Sequence, residues 1–480
     1  MAVTIPEEII TLDPEGIDFG DREAVKALIL KLLNIIESQT QFNEGLQNEN
    51  QSLKDEINRL KGEKGKLKFP PKTAEKEDNI PSLKAERKKN WRKSAKKPRI
   101  KIDRTEYRRV DRKTLPPDAE HKGYRSVVVQ NIKFSTDNVE YKLERFYSPG
   151  ESKLYEAELP EGVHGEFEDD LKAFVVYLYY ACRVTENKIK KILEEAGIVI
   201  SAGEISNILT QEKKEELTKE HEEILKAGLD SSNYFHTDDT GIKHNGENHH
   251  IHVICNELFS AFFITPKKDS NTIRGILGLK KGEKTDKIMI TDDARQFLDI
   301  AVYHALCWIH EIRLYKKLNP IIDYHRIQLR DFLARVWAFY GRLNDFHENP
   351  DEEEKERLEN EFDELFSTNT GYEELDKRIA LTKEKKEELL LVLRFPEIPL
   401  HNNPAELALR ELVVKRKISN GTRSGDGKAA WENMMSVLDT CRKLGVSFFD
   451  YIRDIFSGKY AMAKLAHLIS RNASLKSTFH

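Results

Sequence analysis

The chain has 480 residues, of which 33% are charged and 39% hydrophobic, and its formal net charge is −4. A chain of this length exceeds one compact core, so several structural units are expected. No run of about 18 apolar residues occurs, which excludes a membrane span and predicts an intracellular protein of a prokaryotic cytoplasm with no membrane partner. The cysteines have no paired spacing, which predicts reduced thiols rather than a disulfide framework or a zinc site; they are Cys182, Cys255, Cys307 and Cys441.

The N-terminal region predicts a flexible acidic tail over residues 1–22 and a coiled coil over residues 23–66. Leu46, Leu53 and Leu60 recur every seven residues, and Asn50 lies on the same seam, where a polar residue fixes register and oligomer number. The alternative is a helix packed on its own chain. Because the opposite face is almost wholly polar, self-association into a homodimer or higher oligomer is favoured.

Residues 67–104 predict a basic linker. Four prolines oppose a continuous helix, and the cations that follow are dense and of one sign. Such a segment is typical of arms that neutralise nucleic-acid phosphates without reading sequence. The predicted DNA contacts here are Arg87, Lys88, Lys89, Arg92, Lys93, Lys96, Lys97 and Arg99.

Residues 105–160 predict a small β module, because short segments at 126–129, 139–143 and 153–155 alternate in polarity between turn signals. Residues 161–230 then predict a helical DNA-binding domain. A helix over 186–196 closes at Gly197, and Ser201 with Glu204 forms a capping box that begins another helix. This spacing is that of a helix-turn-helix, with Ser206 and Asn207 as DNA contacts, although a plain helical hairpin has the same pattern.

Two strands that end in acids organise the next part of the chain. Tyr234–Thr240 brings Asp238 and Asp239 to a strand end, and 288–293 does the same for Asp292. The order of three strands, helix, strand, helix and strand over residues 231–318 predicts the first part of a ribonuclease-H-like core. In that sheet the first and fourth strands are neighbours, so Asp238 and Asp292 should meet. Residues 319–396 predict a helical insertion.

The second part of the core, with a C-terminal module, is predicted over residues 397–456, and 457–480 as a C-terminal tail. A helix begins near Asn402 or Asn403, with Pro404 in its first turn and Glu406 soon after. Arg410 lies four residues further on and could orient the Glu406 carboxylate or hold a phosphate.

Three carboxylates from strand, strand and helix predict a site for hard divalent cations, because oxygen ligands suit such ions and leave positions for water and phosphate. Two metal ions about 4 Å apart can activate a nucleophile and stabilise a leaving oxygen. Singly, each acid could also be a turn, cap or surface residue. The histidines predict packing, hydrogen bonds or DNA contact rather than zinc binding; they are His236, His244, His249, His250, His252 and His310.

Several motifs together resemble the insertion-sequence-sixty-six family of DDE transposases. They are Thr237-Asp238-Asp239-Thr240, Thr291-Asp292, Cys307-Trp308-Ile309-His310 and the segment Asn402–Arg410. Two features depart from the family: Asp239 stands where it usually has glutamate, and residues 105–160 lack the cysteines of a zinc ribbon that many members carry.

The resemblance implies a multidomain α+β protein in which Asp238, Asp292 and Glu406 form the catalytic triad and bind two Mg²⁺ or Mn²⁺ ions. Water would cleave the strand at the element end, and the freed 3′-hydroxyl would attack target DNA. The supporting residues would be Asp239, His310, Asn403 and Arg410, and further predicted DNA contacts are Lys415, Arg416, Lys417 and Arg423.

The partners would be double-stranded DNA of the terminal inverted repeats and of the target. Two alternatives stay open: a catalytically inactive, transposase-derived DNA-binding regulator, and a metal-dependent nuclease without strand transfer.

Overall fold

The structure is a computed structural model that describes residues 19–60, 102–111, 114, 116, 118–121, 123–132, 136–160, 163 and 165–477. The predicted linker cations between Arg87 and Arg99, and most of the predicted acidic tail, lie outside the described residues. The chain divides into two compact units, one formed by Met1–Pro70 with Val139–His480 and the other by Pro71–Asn138.

The predicted β module is reduced to a hairpin. In the described part of the smaller unit, Tyr107 and Tyr124 meet edge to face with ring centroids 5.2 Å apart, but residues 126–129 form no strand. Residues 139–143 of the larger unit form none either, and the strands β1 (Arg145–Ser148) and β2 (Lys153–Glu156) pair antiparallel beyond them. Alternation of polar and apolar residues did not suffice to form the predicted strands. Apolar residues such as Val129 and Phe146 are exposed, so no second layer of structure covers them.

The predicted coiled coil is one helix, α1 (Arg22–Leu60), whose first half packs on its own chain. Its Glu37 carboxylate is 2% exposed and accepts the backbone N–H groups of Ile321 (2.6 Å) and Ile322 (2.8 Å). Further along, Leu46 and Leu53 remain exposed. The alternative of a helix packed on its own chain therefore applies to the first half, and self-association through the second half stays a prediction.

Four helices follow, and their bounds are α2 Asp169–Tyr180, α3 Glu186–Glu195, α4 Ala202–Thr210 and α5 Lys214–Asp230. The turn between α3 and α4 uses Gly197 at φ 91°, a backbone conformation that favours glycine. Ser201 then caps α4 by accepting the Glu204 N–H at 3.0 Å, as its capping box predicts. Ser206 is half-buried and Asn207 exposed.

The central layer is a five-stranded mixed sheet. Its strands are β3 Tyr234–His244, β4 Glu247–Cys255, β5 Ser260–Thr265, β6 Ile288–Thr291 and β7 His304–Leu306, and their spatial order is β5-β4-β3-β6-β7. β3, β4 and β5 pair antiparallel, whereas β6 runs parallel to both β3 and β7. The hairpin turn between β3 and β4 uses Asn245 (φ 49°) and Gly246 (φ 83°), and an Asn-Gly pair favours such a turn because both positions need positive φ. The fold is thus multidomain α+β with a mixed sheet.

Between the later strands lie α6 (Ser270–Ile276) and a short 3₁₀ turn (Arg295–Phe297). The region of the predicted insertion is helical, and its elements, with the helix that leads into it, are α7 Trp308–Lys316, α8 Asp323–Glu348, α9 Glu352–Leu365, α10 Glu373–Lys383, α11 Lys386–Leu389 and a 3₁₀ turn at Leu391–Leu393. These elements share one apolar core with β6 and β7. Trp308 is fully buried there and donates its indole N–H to Leu389 O at 2.8 Å.

The last helices are α12 Asn403–Ser419, α13 Gly425–Leu444, α14 Phe448–Ser457 and α15 Leu465–Ser477. Side chains of α13 accept alternate N–H groups of the edge strand β5, and so satisfy donors that an uncovered edge would leave open to pairing. The pairs are Ser260 N with Thr440 Oγ1 (3.2 Å), Phe262 N with Ser436 Oγ (3.0 Å) and Ile264 N with Glu432 Oε1 (2.5 Å).

The prediction of a tail over 457–480 is wrong, because α15 packs on the protein. Leu465 and Ile469 are fully buried, and the Leu465 N–H donates to Glu220 Oε1 on α5 at 3.2 Å. Leu465, Leu468, Ile469 and Ala473 follow helical spacing, but spacing alone does not show that a terminal helix packs on the protein. None of the helices in the described part of the chain combines the length and the apolar character that crossing a membrane requires.

Candidate active site

The register of β3 against β6 brings two predicted acids together. His236 is the parallel partner of Ile290, so two residues further along each strand Asp238 lies opposite Asp292. If this register continues, both side chains leave the same face of the sheet, because residues two apart in a strand share a face. The charge of Asp292 raises the pKa of Asp238, as expected of neighbouring carboxyl groups. Asp238 remains within β3, and Asp292 directly follows the end of β6.

Asn402 fixes the start of the helix that carries the third acid. This asparagine is fully buried; its Oδ1 accepts from His236 Nδ1 at 3.0 Å and its Nδ2 donates to Thr237 O at 2.9 Å. Burial lowers the pKa of His236 to about 4, so the ring is neutral and Nδ1 can donate. The helix α12 thus starts against β3 and presents Glu406 from its first turn. Asn403, predicted to support the site, is exposed, and the buried Asn402 has the positioning contacts instead.

The acids are close enough for the charge of one to change the pKa of another. Burial raises the pKa of Asp238 to about 7, and the charges of Asp292, Asp239 and Glu406 add to this rise, opposed by the Asp239 N–H that Asp238 accepts at 2.7 Å. Burial also raises the pKa of Asp292, although the nearby His310 opposes it. Carboxyl groups that raise one another's pKa in this way bind a cation favourably, because the cation relieves the repulsion.

A divalent cation also fits the donor set. Asp292 Oδ1 is buried and has no hydrogen-bond partner among the described residues. Burial of a carboxylate oxygen without a partner is unfavourable, and a bound cation would supply one. Carboxylate oxygens are the ligands that Mg²⁺ and Mn²⁺ prefer. Asp238, Asp292 and Glu406 are therefore suited to hold such ions.

Arg313 contacts Glu406, although Arg410 was predicted to do so. The Arg313 nitrogens Nη1 and Nη2 lie 3.3 Å and 3.5 Å from the two Glu406 oxygens, and His310 Nε2 lies 3.6 Å from Oε1. Arg410 is exposed on α12. In the sequence, Arg313 lies three residues after His310 on one helix, which could have marked it as a neighbour of the site. Its contact with Glu406 joins residues 93 positions apart, so only the folded structure shows it.

Glu406 also belongs to a compact group of different donors. The Cys307 thiol, one nitrogen of His310 and one oxygen of Glu406 all lie within 4.8 Å of one another. Cys307 follows β7 directly, and its sulfur accepts the Asn402 N–H at 3.2 Å. Asp238 and Asp292 lie outside this group.

Asp239 projects from the opposite face of β3, since it is adjacent to Asp238 in the strand. Its carboxylate lies 3.5 Å from Lys268 Nζ and 3.8 Å from His250 Nδ1, and it accepts from Gln296 Nε2. Sequence reasoning had missed Lys268 and Gln296, which come from loop and 3₁₀ segments. The supporting role of Asp239 stays a prediction.

The predicted DNA contacts on and after α12 occupy different environments. Lys415 is 3% exposed; its Nζ donates to Tyr179 O at 2.8 Å and lies 3.6 Å from the Tyr179 ring centroid, so its assignment to DNA is wrong. Arg416 donates to Gly241 O and to Thr240 Oγ1 (3.4 Å), and so links α12 to the second half of β3. Lys417 and Arg423 are exposed.

Comparison with known proteins identifies the family. The model of the Transposase IS66 family matches residues 164–430, a span that covers more than half of the chain and includes Asp238, Asp292 and Glu406. The chain is also similar to the uncharacterized protein y4jO of Sinorhizobium fredii (strain NBRC 101917 / NGR234), with 41% identity over 189 residues. That alignment covers 39% of this chain and 58% of the relative, less than two thirds of its length. On the family match, the chain belongs to the IS66 family of transposases.

Proposed function

We propose that the protein is a DNA transposase, which cleaves DNA at the ends of a mobile element and joins the freed ends to target DNA. The observation that carries this proposal is that the charges of Asp292 and Glu406 both raise the pKa of Asp238, with Glu406 presented from a helix that Asn402 fixes to β3. Family membership supports the same activity.

The sheet supports a ribonuclease-H-like core. Such a core has three antiparallel strands followed by two parallel ones, with the first and fourth strands adjacent, and the order β5-β4-β3-β6-β7 agrees with it. The pair α3 and α4, with its glycine turn and capped second helix, supports a helix-turn-helix as the DNA-binding element.

The proposed reaction depends on how the chain holds its acids. Asp238, Asp292 and Glu406 would bind two Mg²⁺ or Mn²⁺ ions, which when bound activate water or a 3′-hydroxyl and stabilise the leaving oxygen. Asn402 and His236 orient the helix that bears Glu406. Arg313, half exposed beside Glu406, is placed to receive phosphate oxygens of the strand.

The proposed partners are double-stranded DNA of the element ends and of the target. Exposed Lys417 and Arg423 lie on and after the helix that carries Glu406, and they extend the positive surface available to the duplex backbone. A prokaryotic cytoplasm, where the element DNA resides, is the proposed location.

Replacement of one acid tests the proposal. We expect Asp238→Asn to lower Mn²⁺-dependent cleavage of terminal inverted-repeat DNA by more than about a thousandfold, because several kcal/mol of charge stabilisation are lost. DNA binding, measured by fluorescence anisotropy, should change little. Asp293→Asn is the matched control, since Asp293 is exposed and pairs with Lys385 (2.6 Å). Undiminished cleavage by Asp238→Asn would refute the assignment of the triad.

The same assay separates the alternatives. A DNA-binding regulator would bind the repeat and cleave nothing at any metal concentration. A nuclease without strand transfer would cleave the repeat but leave its 3′ ends unjoined when a supercoiled target plasmid is supplied. Joined products that disappear with Asp238→Asn are the outcome expected of the transposase.

A further inference from the structure

We propose that Cys307, His310 and Glu406 form a second cation site, which takes a metal of the Zn²⁺ class. Because this site shares Glu406 with the proposed catalytic triad, the two sites compete for one carboxylate. The competition rests on the proposed function, whereas the metal binding itself does not.

The backbone places the three donors before any metal binds. Cys307 lies between β7 and α7, and its N–H donates to Thr291 O at 2.9 Å. His310 follows within the first turn of α7, so Cys307 and His310 face the same direction three residues apart. Asn402 links this corner to the helix of Glu406 through its N–H bond to the Cys307 sulfur (3.2 Å).

The distances suit a site that closes slightly on binding. All three ligand atoms lie within 4.8 Å of one another, and His310 Nε2 lies 3.6 Å from Glu406 Oε1. A tetrahedral zinc ion, with bonds of about 2.3 Å to sulfur and about 2.0 Å to nitrogen and oxygen, needs these donors roughly 3.3–3.5 Å apart. A separation of 4.8 Å must therefore shorten by about 1.3 Å, which rotation of the side chains can provide.

The donor types select the class of metal. A thiolate and an imidazole favour Zn²⁺ over Mg²⁺, and three protein ligands leave a fourth position open. Burial raises the pKa of the Cys307 thiol, so the incoming metal must displace a proton from sulfur. The all-oxygen set of Asp238 and Asp292 has the opposite preference, for hard cations.

A positive group already lies at this site. The Arg313 guanidinium lies 3.4 Å from His310 Nε2 and 3.3 Å from Glu406 Oε1, so it bridges two of the three donors. Its side chain is 49% exposed, and it can turn outward when a metal ion arrives. This contact indicates that the potential between His310 and Glu406 favours a cation.

Binding at this site would change the proposed active site. A Glu406 carboxylate bound by a metal ion between Cys307 and His310 is no longer free for an ion that Asp238 and Asp292 hold. The thiolate-containing site and the all-oxygen site should therefore not both be filled through Glu406. Zn²⁺ should release Mn²⁺ from the protein.

Cobalt absorption tests the site directly. Co²⁺ added to the purified full-length protein should give a thiolate-to-cobalt charge-transfer band in the near ultraviolet. Cys307→Ser should lose that band and weaken Co²⁺ binding by at least about a hundredfold, because even outer-shell changes at metal sites cost 10–100-fold. Cys441→Ser, which alters another buried thiol, should keep both. No band in the parent, or a band that survives in Cys307→Ser, would overturn the site.

Two further measurements separate this site from the proposed function. Asp238→Asn should retain the cobalt band, and loss of the band in that variant would contradict a separate site. Electron paramagnetic resonance of free Mn²⁺ should show that Zn²⁺ releases Mn²⁺ from the parent at concentrations at least tenfold lower than from Cys307→Ser. Equal concentrations would refute the competition, whether or not the protein cleaves DNA.

Discussion

Lys415 is an interior cation that joins the helix of Glu406 to the helical region before the sheet. Its ammonium contacts Tyr179 and lies 4.8 Å from the Tyr180 ring centroid and 5.3 Å from that of Trp431. Burial lowers the pKa of Lys415 to about 7, with a further contribution from the nearby Arg183 charge. Arg183 itself forms an ion pair with Glu411, which lies on α12 together with Lys415.

The lowered pKa of Lys415 predicts how stability depends on pH. Between pH 7 and about 10 the unfolded chain keeps the proton that the folded chain has lost, so the free energy of unfolding should rise with pH. For this residue the rise is at most about 1.4 kcal/mol per pH unit. Lys415→Met should lack this component, and urea unfolding at pH 7, 8 and 9 would measure the difference. Lys417→Met, at an exposed position, should follow the parent; parallel curves for parent and Lys415→Met would contradict the prediction.

At the residue scale, the sequence predicted best the groups whose role follows from their own strand or helix. Each acid of the predicted triad was visible locally, because Asp238 and Asp292 follow apolar strand residues and Glu406 begins a helix. The predicted strand end at Asp238 is wrong, since β3 continues to His244. Arg313 and Asn402 act across the fold, on partners far away in the chain. Lys415 was misassigned because the charge of a side chain does not reveal which face of its helix is buried.

At the scale of elements, the packing of α1 is another contact between distant parts of the chain that the sequence alone does not reveal. Helical spacing predicted the helix, but the surface it packs on belongs to a segment nearly three hundred residues later. Burial alone would raise the pKa of Glu37, yet the N–H groups of Ile321 and Ile322 and the ring of His325 (3.1 Å) hold it below its usual value. Asn34 adds a second tie, since its Nδ2 donates to Gly371 O at 2.9 Å.

Removal of the Glu37 carboxylate should release this helix. Glu37→Ala leaves two backbone donors and a histidine unpaired at a buried interface, which should cost about 3 kcal/mol. We expect faster hydrogen exchange over residues 22–41 and a lower Tm. Glu44→Ala, an exposed position on the same helix, should leave both unchanged. Unaltered exchange in Glu37→Ala would show that the carboxylate does not hold the helix.

The order of the strands was predictable because each strand is bounded by turn residues and has its own pattern. Asn245 and Gly246 favour the hairpin turn between β3 and β4, and Asp292 marks the end of β6. The segments at 126–129 and 139–143 show the same alternation and yet form no strand. The difference is physical: alternation predicts a strand only where another layer buries its apolar side.

At the scale of the whole molecule, the second half of α1 offers a surface for assembly. Leu46 and Leu53 are 40% and 55% exposed, seven residues apart on one seam, in the part of the helix that follows the packed segment. Repeated leucines of this spacing favour a coiled coil with a second copy. Any self-association through this helix is therefore expected after about residue 42 rather than from residue 23.

Charged residues on that seam test the assembly. Leu46→Glu combined with Leu53→Glu should lower the mass measured by light scattering to that of a single chain, because burying two carboxylates against another copy is unfavourable. Replacing the exposed Glu44 and Glu49 by Gln on the same half of the helix should preserve the assembly. An unchanged mass in the leucine variant would place the self-association surface elsewhere.

The cover over β5 limits the length of that strand. A helix advances about 6.0 Å over four residues, whereas an antiparallel strand advances about 6.8 Å over two, so the acceptors and donors drift apart by about 0.8 Å at each successive pair. Three pairs, from Glu432 to Thr440, stay within hydrogen-bonding reach. A longer β5 would carry a donor that α13 could no longer match, so two extra residues inserted in this strand would create a new site for pairing between molecules.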